Sequence, residues 1–452
     1  LGLLALMGQG FMPKFEFILP GIPEGDAPTS EKAPADIRSL VLDNGLKIIV
    51  WPDHDIPNVV MYNFVRAGAR NEYPGITGLS HFFEHMMFLG SGEPEPGAFD
   101  RIMEDAGGAN NAYTTADVTV YQDWFPVAAI ETIFAIEAER HENLELLPEV
   151  VESERAVVYS ERRTSIDDNN FWKLAEQVVA TAYVAHPYQF TVIGWPSDIE
   201  SWTLEDLENY YRTYYAPNNR TLVITGDVTP VEVFELADEY FASIPAQDPP
   251  PPVRTVEPEQ LGERRIVVEA PAQTPLLHIA FHAGSASDPD AVPMQLLLNV
   301  LAGGDSSRLH RILVEEERLA IAVGAYQDEG FDPGLVYLYL TLPADGDPAA
   351  AERRTLEELR RIAGEGVSDA ELAKVRNIVL ADYWRELATI NGKAAALGQY
   401  EVFHGSYEKL FDLPARLEAV TVEDLGRVAG KVFRENNMTV GVLRSPVGES
   451  EE

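Results

Sequence analysis

Short, mostly apolar runs near the start of the chain have the length and the Val/Ile content of strands and are broken by turn residues. Ile37–Leu42 and Leu46–Trp51 read as strands, and Asp43-Asn-Gly45 between them is a hairpin turn, because Asn-Gly tolerates the positive φ angles of a tight loop. Val59–Arg66 is a third strand. The pattern then becomes helical: a helix is predicted from Gly78 to Leu89, closed by Gly90, and another over Phe99–Ala106. Asn111–Trp124 reads as β, and helical patterns cover 126–146, 148–163 and 168–183. Thr203–Tyr214 is a helix with a capping-box start at Thr203 and Asp206, followed by a strand Thr221–Thr225 running into Gly226.

Between Ala246 and Glu259 the chain is rich in proline, with Pro249 to Pro252 consecutive, which makes a semi-rigid spacer. It separates two halves that resemble each other. Thr203-Leu-Glu-Asp-Leu207 recurs 218 positions later as Thr421-Val-Glu-Asp-Leu425, and Asn218-Asn-Arg-Thr221 recurs at the same offset as Asn436-Asn-Met-Thr439. Ala67-Gly68-Ala69 matches Ala283-Gly284-Ser285 at an offset of 216. Three matches at nearly one spacing point to a duplicated unit. The expected fold class is α+β: two homologous α+β domains, 30–246 and 261–446, joined by a linker over 247–260. Each is expected to be an antiparallel sheet with helices packed on one face.

Composition narrows the chemistry. The 452 residues include 34 Lys+Arg, 73 Asp+Glu and no Cys, a formal charge of −39. A surface this acidic repels phosphate backbones and anionic lipid, so no nucleic-acid partner is expected. No stretch reaches the roughly 18 apolar residues of a bilayer span. The short apolar start Leu1–Met7 reads as the remnant of a secretory signal, so a periplasmic or secreted protein is expected, with a cytoplasmic one as the alternative. Without Cys there is no thiol nucleophile and no thiolate ligand, so any metal must rest on His and carboxylates.

The helix at Gly78–Leu89 carries such a set. In His81-Phe-Phe-Glu84-His85 the imidazoles sit at i and i+4 and Glu84 falls within the same arc of about 100°. Nitrogen ligands beside an uncommitted carboxylate are what a Zn²⁺-activated water requires. The neighbours Phe82, Phe83, Met86, Met87, Phe88 and Leu89 are apolar, so the polar trio is set into a helix that otherwise favours burial, where each unpaired polar group costs about 1–3 kcal/mol. Two His leave a catalytic zinc one protein ligand short. Spacing alone does not rank Glu142, Glu145, Glu149, Glu152, Glu154 and Glu161 for that place; Glu154 and Glu161, seven apart, share a helix face.

His-x-x-Glu-His is the inverted zinc signature. With Asn44-Gly-Leu46, Gly107-Gly108, Asn111-Ala-Tyr-Thr114, Glu154…Glu161, Tyr215-Ala-Pro-Asn-Asn219 and Gly303-Gly…Ser306-Ser-Arg-Leu309, the chain from about residue 38 to 445 resembles the pitrilysin-type (M16) inverzincin metallopeptidases. The resemblance implies one Zn²⁺ held by His81, His85 and Glu161, the last 76 residues beyond His85, with Glu84 as the general base. It implies Glu154 as a carboxylate orienting a ligand imidazole. It also implies an edge strand at Asn111, Ala112 and Thr114 that pairs with an extended peptide, Asn111 nearest the scissile bond.

The second half lacks this equipment. The 216 offset puts Leu297, Val300 and Leu301 where the first half has His81, Glu84 and His85. Single-chain relatives steady the substrate with an Arg and a Tyr seven residues later; here those positions are Val314 and Ile321, neither a donor. The expected assembly is therefore a zinc-bearing subunit paired with a homologous subunit that carries the Arg/Tyr pair and closes a chamber around unstructured peptides, or else a homodimer. The alternative is a non-catalytic core or peptide-binding subunit on the same fold.

Overall fold

The computed structural model describes residues 33–89 and 97–446. The apolar start Leu1–Met7, the lead up to residue 32 and Gly90, the expected stop of the site helix, lie outside the described residues. The first half runs β1 (Arg38–Val41), β2 (Lys47–Pro52), β3 (Asn58–Val65), α1 (Leu79–Leu89), α2 (Ala98–Asp105), β4 (Ala109–Thr114), β5 (Thr119–Pro126), α3 (Ile130–Glu142), α4 (Pro148–Arg162), α5 (Asn170–Ala182), α6 (Pro196–Ser201), α7 (Leu204–Tyr214), β6 (Arg220–Gly226) and α8 (Pro230–Phe241). The second runs β7 (Arg264–Glu269), β8 (Leu276–His282), α9 (Ala291–Ala302), β9 (Ala322–Gln327), β10 (Leu335–Thr341), α10 (Pro348–Glu365), α11 (Asp369–Glu386), α12 (Ile390–His404), α13 (Leu413–Ala419), α14 (Val422–Val432) and β11 (Met438–Arg444). Residues 245–263 between α8 and β7 carry no helix or strand.

The first sheet is ordered β1-β2-β6-β3-β5-β4 and the second β7-β11-β8-β10-β9, the same order apart from the extra edge strand β1. Both are antiparallel except for one pair each, β2 with β6 and β7 with β11, which run parallel. Alternation of apolar residues marks a strand but not the direction of its neighbour, so the parallel pair is a finding of the structure.

The duplication extends to single bonds. α7 and α14 both open with a complete capping box, Thr203 with Asp206 and Thr421 with Asp424. Asn219 donates through its amide to the carbonyls of Tyr214 and Arg66; Asn437 does the same to Val432 and His282. Each such amide ties the end of a helix to the end of a strand.

Strand alternation sorts the first sheet into two apolar faces. Ile48, Val50, Met61, Leu222 and Ile224 pack with Ile133 and Phe134 of α3 and Val233, Ala237 and Phe241 of α8. The opposite face, Ile49, Val60, Tyr62, Phe64 and Val223, packs under Ala394, Leu397 and Val402 of α12, a helix of the second half. The exchange is mutual: Leu276, Ala280, Leu335 and Tyr337 of the second sheet are covered by Leu174, Val178 and Ala182 of α5 from the first half. Helices were expected on one face only. Strands such as β3, buried at seven consecutive positions, are apolar on both sides and need cover on both. Close approach is bought with glycine at two of these crossings: a Cβ at Gly398 would fall 1.9 Å from the Phe64 ring, and one at Gly441 2.3 Å from Val178.

The β stretch expected over Asn111–Trp124 is two strands. Thr115 turns the chain, its hydroxyl accepting the N–H groups of Asp117 and Val118, an ST-turn that needs neither Gly nor Pro. The helix expected over 126–146 is confined to α3, because Asn143 ends it.

Candidate metal centre

α1 is the element that organises the site. Phe82, Phe83, Met86 and Met87 bury against Val151 and Val158 of α4 and the aromatic rings of Tyr210 and Tyr214 on α7. Phe83 stacks on Tyr210 with centroids 5.5 Å apart. That packing turns the remaining face of α1, with His81, Glu84 and His85, toward α4 and β4. Val151 and Val158 are seven residues apart on the inward face of α4; Glu154 and Glu161, also seven apart, occupy the adjoining face and meet the histidines.

His81, His85 and Glu161 each present a ligand atom, all within 4.8 Å of one another. Glu161 Oε2 lies 3.7 Å from His81 Nε2 and 3.4 Å from His85 Nε2. A tetrahedral ion bound at about 2.0–2.2 Å separates its ligand atoms by roughly 3.3–3.6 Å, and the two separations from Glu161 are close to that. His81 supplies a second test: it is buried, and neither ring nitrogen has a hydrogen-bond partner among the described residues. Such an orphan is costly unless something fills it. Burial, helped by the neighbouring His85, lowers its pKa to about 4, which keeps a lone pair available at neutral pH.

The other groups are held by named partners. His85 Nδ1 and Glu154 Oε1 are 2.7 Å apart, an arrangement that directs the other ring nitrogen toward Glu161. Burial opposes the charging of His85, but Glu154 and Glu161 outweigh it and lift its pKa to about 9 in the metal-free protein. Glu161 is also partly desolvated, yet the two imidazoles hold its pKa below the usual value. Glu84 is buried, which raises its pKa, while the Thr114 hydroxyl, donating to Oε2 at 2.6 Å, opposes the shift.

The structure thus brings His81, Glu84, His85, Glu154, Glu161 and Thr114 together. Thr114, expected along the substrate strand, turns its hydroxyl inward onto Glu84. Ala112 is buried beneath α1, and Asn111 is half-buried opposite Gln122 of β5. All three lie on β4, which ends the sheet, so among the described strands one edge of β4 has no partner. In the second half Leu297, Val300 and Leu301 are buried core residues. His278 and His282 lie on β8 away from any metal-like cluster; His278 packs on Phe171, and His282 pairs with the Ala182 carbonyl.

Two supports escaped the sequence. Glu72 is buried and accepts the N–H groups of Gly78 and Ser80 and the Ser80 hydroxyl, capping α1 one residue before His81. Its six-residue distance from Gly78 falls outside the capping-box pattern. Arg162, next to Glu161, makes a two-pronged bond to Glu176 at 2.5 and 2.7 Å and so anchors the end of α4 to α5.

A protein of Helicobacter pylori (strain ATCC 700392 / 26695) named zinc protease PqqE is 30% identical over 417 residues, covering 90% of this chain and 92% of that one. The chain belongs to peptidase family M16. Residues 53–194 match the family described as Insulinase (Peptidase family M16), and residues 201–379 match the Peptidase M16 inactive domain. A probable mitochondrial-processing peptidase subunit beta of Arabidopsis thaliana is 25% identical over 423 residues, covering 90% of this chain and 78% of that one. The crystal structure of a protease from Helicobacter pylori aligns with a TM-score of 0.88 at 28% identity, covering 91% of this chain and 99% of that one. The M16 assignment agrees with the motif in α1 and with the duplicated fold. Among the described residues no helix is long and apolar enough to cross a membrane.

Proposed function

We propose that this M16 protein is a zinc endopeptidase for unstructured peptides. The observation that carries this reading is the meeting of His81, His85 and Glu161 at ligand separations, with Glu84 on the same helix but outside the trio. His81, His85 and Glu161 would hold one Zn²⁺, which supplies Lewis acidity and makes water acidic enough to ionise near neutral pH. Thr114 occupies Oε2 of Glu84, so proton transfer falls to Oε1. Glu84 takes a proton from the attacking water there and returns it to the leaving amine; burial raises its basicity toward the working pH. An extended peptide adds to the open edge of β4, read by main chain near Asn111 and Ala112.

A homologous M16 subunit closing the chamber is the proposed partner, because Val314 and Ile321 supply no donors for the substrate and the Arabidopsis relative is by name a subunit. The second reading, a non-catalytic subunit, draws on the match of residues 201–379 to the inactive domain. Metal analysis together with a fluorogenic peptide assay separates the two. The enzyme reading expects about one zinc per chain and cleavage that Glu84→Gln lowers by roughly 10²–10⁴-fold without loss of zinc. Zinc-free protein, or undiminished turnover by Glu84→Gln, would defeat it.

A further inference from the structure

The two halves also meet in a polar knot beside the site, and its centre is Asp117 in the turn between β4 and β5. This buried carboxylate accepts the Tyr188 hydroxyl at 2.8 Å and the main-chain N–H of Phe331 at 3.3 Å, with Arg70 Nε 3.3 Å away. Asp332 pairs with Arg70, accepts from His186 Nε2 at 3.1 Å, and through its own N–H donates to the Tyr188 hydroxyl at 3.2 Å. His186 Nδ1 accepts the Tyr188 N–H, which leaves the proton on Nε2 for Asp332. Phe331 lies between the Arg70 guanidinium, 5.3 Å from its ring, and the Phe403 ring at 4.9 Å. Residues 328–334 are the β9–β10 connection of the second half; Arg70, Asp117, His186 and Tyr188 belong to the first.

The fit leaves no slack. A Cβ on Gly330 would stand 2.2 Å from the Tyr188 hydroxyl and 2.6 Å from Asp117 Oδ2. The halves are already joined over broad apolar areas by α5 and α12, and buried ion pairs add little net stability, since desolvation offsets their attraction. What such groups do well is fix geometry. Here the fixed part is the hairpin tip: Arg70 N–H donates to the Ala116 carbonyl at 2.8 Å, Ala69 N–H to that of Thr115 at 3.3 Å, and Thr115 closes the turn. Thr114, three residues before Asp117, is the residue that donates to Glu84.

We propose that the β9–β10 loop of the second half is a positioning element for β4. Through Asp117 it fixes the hairpin tip, and with it the stance of Thr114 toward Glu84 and the line along which a peptide pairs with the strand. Asp117, Gly330 and Asp332 are positioning residues in this scheme. The effect on turnover rests on the peptidase reading above; the effect on the hairpin does not.

The test uses the full chain with Asp117→Asn and Gly330→Ala made singly, and Asp332→Asn, a partly exposed position, as a third variant should Gly330→Ala fail to fold. Native-state hydrogen exchange is expected to quicken about tenfold at residues 109–118 and to stay unchanged along α1 and α4, because only the local opening of the hairpin is eased. Zinc content and affinity are expected to match the parent, while KM for an unstructured peptide rises roughly tenfold and kcat changes less, as for a displaced binding strand. Peptide affinity measured on a Glu84→Gln background is expected to fall with the same variants. Parental exchange in the hairpin of the variants overturns the proposal, and so does quickened exchange with parental KM and parental peptide affinity. A parent that binds zinc but cleaves nothing, both alone and with the homologous subunit added, overturns the peptidase reading, and the exchange and peptide-affinity measurements then decide the positioning claim alone.

Discussion

One scaffold appears twice in this chain and carries two different interiors. In the first half α1 faces α4 with two imidazoles and three carboxylates in reach; in the second, α9 presents Leu297, Val300 and Leu301 to a continuous apolar core. Sheet order, the parallel pair, the capping boxes of α7 and α14, and the twin asparagines are common to both. The metal set is therefore not needed for the fold. Buried polar groups are tolerated in α1 because Thr114 and Glu154 satisfy two of them and Glu161 converges on both imidazoles. The core of the second half shows what the same position becomes when nothing polar is required of it.

Moving the polar residues across is the harshest way to break the comparison. Leu297→His with Leu301→His is expected to cost about 3–5 kcal/mol and to bind no second zinc, because the new imidazoles would be set among apolar side chains and a packed core is disrupted. Urea unfolding and metal analysis check both parts. Within the first half, Glu154→Gln leaves all three ligands in place but weakens the hold on His85, and zinc affinity is expected to drop by about 10–100-fold in a chelator competition.

The helix starts differ as well. Glu72 caps α1 from a buried position, and burial raises its pKa to about 8 from the ordinary 4.5. Between those values the folded metal-free chain binds a proton that the unfolded chain does not. The stability this group contributes is full below about pH 4.5 and is lost as pH rises through about 8. Glu72→Gln is expected to flatten that fall in urea midpoints taken from pH 5 to 8; an unchanged slope would remove Glu72 as its source. Asp288, the residue 216 positions on, is half-buried, and among the described residues its carboxylate accepts one hydrogen bond, from the loop N–H of Asp290. The smallest effect is a matched one: Thr203→Ala and Thr421→Ala are each expected to cost about 1 kcal/mol, equal because the two capping boxes have the same bonds.

Local chemistry made the strands, the Asp43-Asn-Gly45 turn and the α7 cap legible in the amino-acid sequence, since each depends on neighbours a few residues apart. The His81, Glu84 and His85 face was legible for the same reason, being one turn of one helix. Glu161 needed the family resemblance, because a helix of many glutamates does not say which one faces α1. Thr115 hid the β4–β5 turn, as a hydroxyl bonding its own backbone leaves no Gly or Pro signal. Glu72, Asp117 and the exchange of α5 and α12 were invisible because their partners are distant in the chain or outside the usual spacings.

That exchange has a consequence for how the protein is made. β6, the last strand of the first sheet, ends at Gly226, and α12, which covers the sheet's outer face, ends at His404, 178 residues later. At the usual translation rates of about 5–20 residues per second, Tyr62, Phe64 and Val223 stay bare on the ribosome for roughly 10–35 s after the sheet is complete. An apolar sheet face left bare for that interval is expected to need a holding chaperone.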